Sequence, residues 1–583
     1  MRLLSVLVFI LYLLLCTYTA KGISRSRNKP IQQTPRKNYL IEECLNNSYT
    51  INSCNKVFCQ PWQRCMGGTC SCKLPYQCPK NGTSVCSMEG KTFRTYCQLK
   101  SYECQRHNSK FRSRGNCELQ DDFEVSLKPE NVSERFIQVQ MNSNKMFICG
   151  HQWSMNEANV ICRHLHFPEG ADRIKLDHPE DTWNSSECLK VTCRGTETSL
   201  AECSLVRTSR GRKKLAKVAC HTTHQECSSR EFRCVNRKCI PSDNTCDGVN
   251  DCGDLSDELC CKECRGESFH CSSQVCIPNK YLCNDEIDCL TGEDEAYQLC
   301  KERREETEEE SMDAERRKIK TFLPQLHCGI PNRTITRRKR IIGGYSAGRD
   351  EFPWQVAIRG TEAQVNCGGI YIGGCWILTA AHCVRQSYVH AYRIWTGMLN
   401  TILKNSGMET FTLRRVIIHE NYNSKTYEND IALLEMKSRD SGQPCSPPNT
   451  MAACVPWSPY MFTSGHRCKV SGWGRAEDYE RQFTLKWGYV NLMSNCSEIY
   501  KERYFKGMEC AGTYDGSVDS CRGDSGGPLV CFDSNNVAYV WGIVSWGENC
   551  GEEGHPGVYT KVADYFEWIS RYTGKATISR FNV

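Results

Sequence analysis

Apolar and polar positions divide the chain into stretches of different texture. Residues 3–16 (LLSVLVFILYLLLC) are almost wholly apolar, with Arg2 before them and the small residues Thr19 and Ala20 after them. That pattern predicts a signal peptide over 1–20, cleaved near Ala20. The run of 14 residues is shorter than the roughly 20 needed to span a bilayer, and no second long apolar run follows. A secreted chain without a transmembrane segment is expected. Residues 301–327 contain no cysteine and include KERREETEEESMDAERRKIK, which predicts a solvated, flexible linker. From 341 to 583, short apolar runs such as Ala538 to Trp546 alternate with Gly-rich turns. Many short strands between turns predict an all-β domain of about 240 residues, large enough for a sizeable core.

Composition sharpens the compartment. A chain of 583 residues suggests roughly three to six domains. Its 43 cysteines have no use in a reducing cytosol, so the environment is oxidising. Removing the signal peptide removes Cys16 and leaves an even number. Six N-x-S/T sequons, at Asn46, Asn81, Asn131, Asn184, Asn332 and Asn495, agree with secretion. A hydrophobic fraction of 39% excludes a disordered chain, and a net charge of +7 is too small to argue for nucleic acid. The cysteines fall in four groups: 44–117, 149–220, 227–300 and 328–550. The first holds eleven and the third thirteen. Cys44 precedes the ladder of the first group and Cys260 is extra beside Cys261. These two are expected to pair, folding the N-terminal modules into one unit.

Three segments of the C-terminal stretch carry nucleophile chemistry: Thr379-Ala-Ala-His-Cys383, Asn429-Asp-Ile-Ala-Leu433 and Gly523-Asp-Ser-Gly-Gly-Pro528. A serine hydroxyl is a weak nucleophile at neutral pH and needs a base, which in turn needs an orienting carboxylate. The order His382, Asp430, Ser525 and the three motifs resemble the trypsin-like serine proteases across 341–583. The resemblance implies a double β-barrel with the site between barrels. It implies His382 as general base, Asp430 as its orienting partner, Ser525 as nucleophile, and the N–H groups of Gly523 and Ser525 as the oxyanion hole. Asp519, six positions before the nucleophile, matches the floor of the family's primary pocket and implies cleavage after Arg or Lys. Ser545 and Gly547 match the substrate-pairing strand, and Gly547 and Gly557 the pocket walls. Pro556 goes with absence of the family's sodium loop.

Activation is written upstream. Arg337-Arg-Lys-Arg340 directly precedes Ile341-Ile-Gly-Gly344, a site for a furin-type convertase. Cleavage after Arg340 would free the Ile341 amino group, which by resemblance turns inward to pair with Asp524. The family pattern implies Cys367–Cys383, Cys468–Cys531, Cys496–Cys510 and Cys521–Cys550. A Cys328–Cys454 bridge resembles the propeptide link of chymotrypsinogen-type zymogens and leaves Cys375–Cys445. The result would be heavy and light chains joined by a disulfide.

Residues 227–261 and 264–300 repeat C-x6-C-x4-C-x6-C-x5-C and end in DCGDLSDELCC and DCLTGEDEAYQLC. Modules this small have almost no core and rely on disulfides and metal. Asp247, Asp251, Asp257 and Glu258 supply hard oxygen ligands, and Asn284, Asp288, Asp294 and Glu295 parallel them. Both copies resemble LDL-receptor class A modules. The resemblance implies two structural calcium ions and adds the carbonyls of Asn244 and Val249 in the first site and of Tyr281 and Glu286 in the second.

Residues 44–117, with VCSMEGKTF and Tyr96-Cys97, resemble a follistatin/Kazal-type module, read here as a contact module. Residues 124–220, with Trp153-Ser-Met-Asn-Glu-Ala and Cys193-Arg-Gly-Thr-Glu, resemble a scavenger-receptor cysteine-rich domain. The basic run Arg207 to Lys217 reads as a solvated loop. Residues 301–340 are the charged linker with its RRKR processing site. The fold class is therefore multidomain: a C-terminal all-β double barrel plus small disulfide-rich, calcium-stabilised modules. The module order resembles the plasma serine proteases that regulate complement. That implies activated complement components three and four as substrates, and cofactor proteins such as factor H, C4b-binding protein or membrane cofactor protein. Two alternatives fit the same modules: a binding scaffold on an inert protease fold, and a membrane-anchored modular trypsin-like protease.

Overall fold

The structure is a computed structural model. It describes residues 38–574 apart from 107–108, 118–122, 130–131, 142, 179–185, 211–213, 223–225, 301–311, 322–327, 331–343, 361–364, 404–406, 439–444, 446, 448–449, 475–482, 522 and 549. The signal segment, Arg340 and Ile341 lie outside the described residues.

The C-terminal domain is two six-stranded barrels. In the first, β2 (Gln355–Arg359), β3 (Val365–Gly373), β4 (Trp376–Thr379), β7 (Ala432–Met436), β6 (Glu409–Ile418) and β5 (Arg393–Thr396) close on themselves in that order. In the second, β9 (Lys486–Met493), β8 (Arg467–Gly472), β11 (Pro528–Phe532), β12 (Ala538–Trp546), β13 (Gly557–Lys561) and β10 (Met508–Gly512) close through a β9–β10 pairing, with β1 (Tyr345–Ser346) added beside β9. Closure removes exposed strand edges. Alternating side chains fill each interior: Ile358, Ile377, Ile394 and Leu434 in the first barrel, Val470, Val490, Trp541 and Tyr559 in the second. Trp354, Ile370, Leu378, Ile543 and Ile569 are fully buried in the layer shared between barrels. That layer fixes one barrel against the other and so fixes the cleft.

The modules upstream have smaller cores. Residues 124–220 contain a five-stranded sheet packed on the helix Met155–His164. Ser154 caps this helix and Glu157 returns the bond to the Ser154 N–H, closing a capping box. Glu157 also accepts the Cys193 N–H at 3.1 Å. Every cysteine from Cys44 to Cys550 is disulfide-bonded. Cys44 is bonded to Cys260 across 216 positions, and Cys328 to Cys454 across 126. Cys375–Cys445, Cys367–Cys383, Cys468–Cys531, Cys496–Cys510 and Cys521–Cys550 complete the pairs within the protease domain.

From Leu40 onward the modules and the protease pack as one unit. Arg194, from the scavenger-receptor-like part, donates to Asp288 at 2.6 Å and Glu286 at 3.0 Å of the second class A-like repeat. Leu290 of that repeat is buried with Trp457, Met461 and Phe462 of the protease. Ser534 Oγ donates to Thr291 O at 2.7 Å. Lys56 is 1% exposed; its Nζ donates to Ser273 O at 2.9 Å and lies 3.7 Å from the Tyr460 ring centre.

Two expectations are corrected. The stretch read as a flexible linker contains a helix, Met312–Thr321. Met312 and Ile319, seven residues apart on one helix face, are buried with Trp62, Tyr96 and Phe111 of the N-terminal module. Arg316 is buried too, bonded to Glu286 and Gln60. High charge density hid a narrow apolar stripe. The basic run is not a loop throughout. Arg207 lies in the strand Ser204–Ser209, and Leu215 begins a core strand that runs to Cys220. Lys217 covers the Phe136 ring and pairs with Asp177 at 3.0 Å.

Candidate active site

The nucleophile segment and its partners come from different strands of the two barrels. His382 sits in the 3₁₀ turn Ala381–Cys383 directly after β4, and the Cys367–Cys383 disulfide pins that turn to β3. Asp430 lies just before β7 and is fully buried. Its Oδ1 accepts the His382 backbone N–H at 2.9 Å, and its Oδ2 is 2.7 Å from His382 Nδ1. Two bonds from one carboxylate to one residue fix the ring plane and place a proton on Nδ1, leaving Nε2 as the base. Ser545 Oγ also donates to Asp430 Oδ2, at 2.5 Å, and Thr560 Oγ1 donates to Asp430 O at 2.8 Å. The second barrel therefore holds the orienting group of a histidine that belongs to the first.

Ser525 lies on a tight turn. Its carbonyl accepts the Gly368 N–H at 2.8 Å, and Gly526 N–H donates to Val544 O at 2.9 Å. Gly526 has φ +76°, and a Cβ there would meet Thr379 Oγ1 at 2.3 Å and Gly368 O at 2.6 Å. Only glycine fits both the backbone and the space. Gly523, one of the two expected oxyanion donors, has φ +105°.

Asp519 packs against Gly557; a Cβ at Gly557 would lie 2.7 Å from Asp519 Oδ1. The carboxylate accepts the N–H groups of Ser520 at 2.7 Å and Gly551 at 3.2 Å. Burial still pushes its pKa up to about 6, because backbone amide dipoles replace a full hydration shell incompletely. Gly547 opposes Gly557, with only the Gly557 Cα within 3.9 Å of a Cβ built there.

Asp524 lies partly buried beside Ser525. Its two oxygens accept Gly474 N–H at 2.7 Å and Cys521 N–H at 3.0 Å, and burial raises its pKa. A Cβ at Gly472 or Gly474 would fall 1.9 or 2.3 Å from this carboxylate. Sequence reading missed these two glycines and the Ser545 and Thr560 bonds to Asp430. The Ser-Gly-Trp-Gly spelling of 471–474 was the available signal.

The acidic clusters of the class A-like repeats are the candidate metal centres. In the first, Asp257 is fully buried; its Oδ2 accepts the N–H groups of Asp251 at 2.8 Å and Cys252 at 3.2 Å, while its Oδ1 has no hydrogen-bond partner. Glu258, Asp251 and Asp247 converge with it through backbone bonds within 247–258. Burial, then repulsion between neighbouring carboxylates, pushes Asp251 up to about 7 and Asp257 and Glu258 well above the usual range. An orphaned buried oxygen among four acidic side chains fits a hard divalent cation. In the second, Asp294 accepts Asp288 N–H at 2.7 Å and Cys289 N–H at 3.2 Å, and Glu295 accepts Asn284 N–H at 2.7 Å. Asp288 there is shared with Arg194. Asn284 brings an amide where the first repeat has Asp247, so this donor set carries less charge.

Comparison with known proteins covers nearly the whole chain. Residues 341–569 match the trypsin family, 130–221 the scavenger receptor cysteine-rich domain, and 225–261 and 262–300 the low-density lipoprotein receptor domain class A. Residues 50–70 match the FIMAC N-terminal domain of complement factor I and 72–117 its Kazal domain. The chain is 50% identical to complement factor I of Mus musculus over 97% of this chain and 98% of that one. It is 50% identical to complement factor I of Rattus norvegicus over 96% and 98%. Ovochymase of Halocynthia roretzi is 38% identical over 40% of this chain and 16% of its own.

Proposed function

Because the chain belongs to the complement factor I family and is a complement-regulating, trypsin-like serine protease, we propose that it inactivates the activated forms of complement components three and four by cutting after arginine. Cofactor proteins such as factor H, C4b-binding protein or membrane cofactor protein would present the substrate. The observation that carries the arginine preference is Asp519, a carboxylate that burial pushes up to about 6 and that backbone N–H groups contact, with no ion pair to a cation among the described residues. A guanidinium brought against it supplies the missing charge and the donors together.

This reading implies the following steps. Substrate arginine enters against Asp519, and the chain before it lies along Ser545 to Gly547. Ser525 Oγ attacks the carbonyl carbon as His382 Nε2 takes its proton. Asp430 stabilises the resulting imidazolium at 2.7 Å. The oxyanion is met by the N–H groups of Gly523 and Ser525, each such donor being worth about 10²–10³ in rate. His382 then returns the proton to the leaving amine, and water repeats the sequence on the acyl-enzyme. Cleavage after Arg340 would supply the Ile341 ammonium that Asp524 receives.

Calcium, when bound, supplies cross-linking charge to the two class A-like repeats, held by Asp247, Asp251, Asp257 and Glu258 and by Asn284, Asp288, Asp294 and Glu295. Among the described residues no helix is long and apolar enough to cross a membrane. The fully bonded cysteines support secretion into plasma.

The test is incubation of the processed protein with activated component three, with and without factor H, beside Ser525→Ala. Arginine-directed cleavage by wild type with factor H, and none by Ser525→Ala, is expected. Absence of cleavage under all conditions would overturn the reading.

A further inference from the structure

The two class A-like repeats place their candidate calcium donors at one spacing. Asn244, Val249 and Asp251 of the first answer to Tyr281, Glu286 and Asp288 of the second. At 244, 249, 281 and 286 the expected donor is the backbone carbonyl, so the ion does not dictate the side chain there. These are positions where the repeats differ: asparagine and valine in the first, tyrosine and glutamate in the second. In the second repeat Tyr281, Glu286 and Asp288 all meet one side chain, Arg194 of the scavenger-receptor-like domain.

Arg194 is held as a bound ligand would be. Its Nη2 donates to Asp288 Oδ1 at 2.6 Å and its Nη1 to Glu286 Oε2 at 3.0 Å. Its guanidinium carbon lies 4.2 Å from the centre of the Tyr281 ring, and Tyr281 Oη donates to Arg194 O at 3.2 Å. A ring face and two carboxylates suit a planar guanidinium. The loop presenting it has its own supports. Glu197 accepts the N–H groups of Arg194 at 2.7 Å, Gly195 at 2.9 Å and Thr196 at 3.0 Å, and Cys193–Cys203 closes the base. In the first repeat the matching oxygen, Asp251 Oδ1, takes an amide from its own repeat, Asn244 Nδ2 at 3.3 Å.

Glu286 extends the contact. Its side chain is fully buried, and its other oxygen bonds Arg316 of the helix Met312–Thr321. Arg316 Nε in turn donates to Gln60 of the N-terminal module at 3.0 Å. Asp288 divides its oxygens: Oδ1 faces Arg194, while Oδ2 lies 3.4 Å from Asn284 Nδ2, within the donor set. An ion held by Asp288, Asp294 and Glu295 therefore steadies the carboxylate that Arg194 needs. Without it, neighbouring carboxylates repel one another, and the buried Arg194 loses the alignment that offsets its desolvation.

We propose that calcium binding in the second repeat is coupled to docking of Arg194 against Tyr281, Glu286 and Asp288, so that this ion assembles the scavenger-receptor-like domain and the helix Met312–Thr321 onto the repeat that meets the protease. The inference rests on the reading of Asn284, Asp288, Asp294 and Glu295 as calcium ligands. Linkage makes the coupling reciprocal: the factor by which the ion strengthens docking is the factor by which Arg194 strengthens calcium binding.

The test titrates calcium into the full processed protein after dialysis against EDTA, for wild type, Arg194→Met and Glu286→Gln, and follows amide hydrogen exchange. Both variants keep the backbone carbonyls and the four donor side chains of the second site. In Arg194→Met the calcium concentration that half-protects 281–295 is expected to rise about tenfold, with that for 244–258 within about twofold of wild type. Glu286→Gln is expected to move 281–295 in the same direction. In wild type the helix Met312–Thr321 is expected to gain protection at the same calcium concentration as 281–295. An unchanged half-protecting concentration for 281–295 in both variants would overturn the proposal. An equal rise in both repeats would overturn it as general loosening, and so would helix protection that ignores calcium. Wild-type protection of 281–295 that ignores calcium would instead overturn the calcium reading on which the proposal stands.

Discussion

Replacing Asp519 by asparagine should stabilise the protein while destroying its specificity. Burial pushes the native carboxyl up from 3.8 to about 6. That rise corresponds to about 3 kcal/mol of disfavoured ionisation. The sign is fixed by linkage. Between pH 3.8 and about 6 the folded state binds the proton more readily than the unfolded state, so stability falls as pH rises through that window. Above pH 6 the whole cost is present. Asparagine removes it but cannot accept both the Ser520 and Gly551 N–H groups, which costs about 1 kcal/mol. The net gain at pH 7.5 is about 2 kcal/mol, or about 6 °C for a domain of this size. Differential scanning calorimetry of the protease transition at pH 7.5 and pH 4.5 reads it. The gain should be clear at the higher pH and vanish at the lower. Turnover of an arginyl anilide should fall about 10⁴-fold. An Asp519→Asn protein that melts at or below the wild-type temperature at pH 7.5 would refute the claim that this carboxylate is held at a cost.

Three further outcomes are expected. Cys44→Ser/Cys260→Ser should cost about 4–5 kcal/mol, because bridges inside the 216-residue span shorten the effective loop to about 100 residues; thermal unfolding of the secreted protein measures it, and an unchanged midpoint counts against the clamp. Chelating calcium should raise amide hydrogen exchange first in 244–258 and 281–295 and leave anilide turnover unchanged, with protection returning when calcium is restored. Lys56 is lowered from 10.5 to about 7 by burial, so the unfolded state binds the extra proton between those values and stability rises with pH there, by up to about 1.4 kcal/mol per pH unit; Lys56→Met should flatten that slope in urea titrations run from pH 7 to 10.

The chemistry of the site was legible because its residues are bound to short local signatures. Thr379 to Cys383 and Gly523 to Pro528 each combine a reacting group with the turn residues that display it. The class A-like repeats were legible through cysteine intervals, which fix loop closures irrespective of what lies between. The assembly was not legible. Arg194 and Asp288 are 94 positions apart, and nothing in either neighbourhood marks the pair. Lys56 reads as an ordinary surface lysine, yet modules from three parts of the chain bury it. The helix Met312–Thr321 failed for a different reason: Met312 and Ile319 are too few to announce a stripe amid so many charges, and their value depends on the Trp62 surface they meet. Contacts between modules depend on shape across long separations, which local pattern does not encode.

The Cys328–Cys454 bridge has a consequence for regulation. It lies beside paired backbone, with Gly329 N–H on Ala452 O and Ala538 N–H on Gly329 O, both at 2.8 Å. In a chain cut after Arg340, as proposed above, the contact of Leu290 with Trp457 and Phe462 would join two polypeptides that cannot diffuse apart. Their effective concentration is set by the tether, on the order of millimolar. Opening and closing of that contact is then a first-order event within one molecule. Dilution in a large fluid volume cannot release the protease from its modules, and only a third body that binds the open form more tightly can shift the balance.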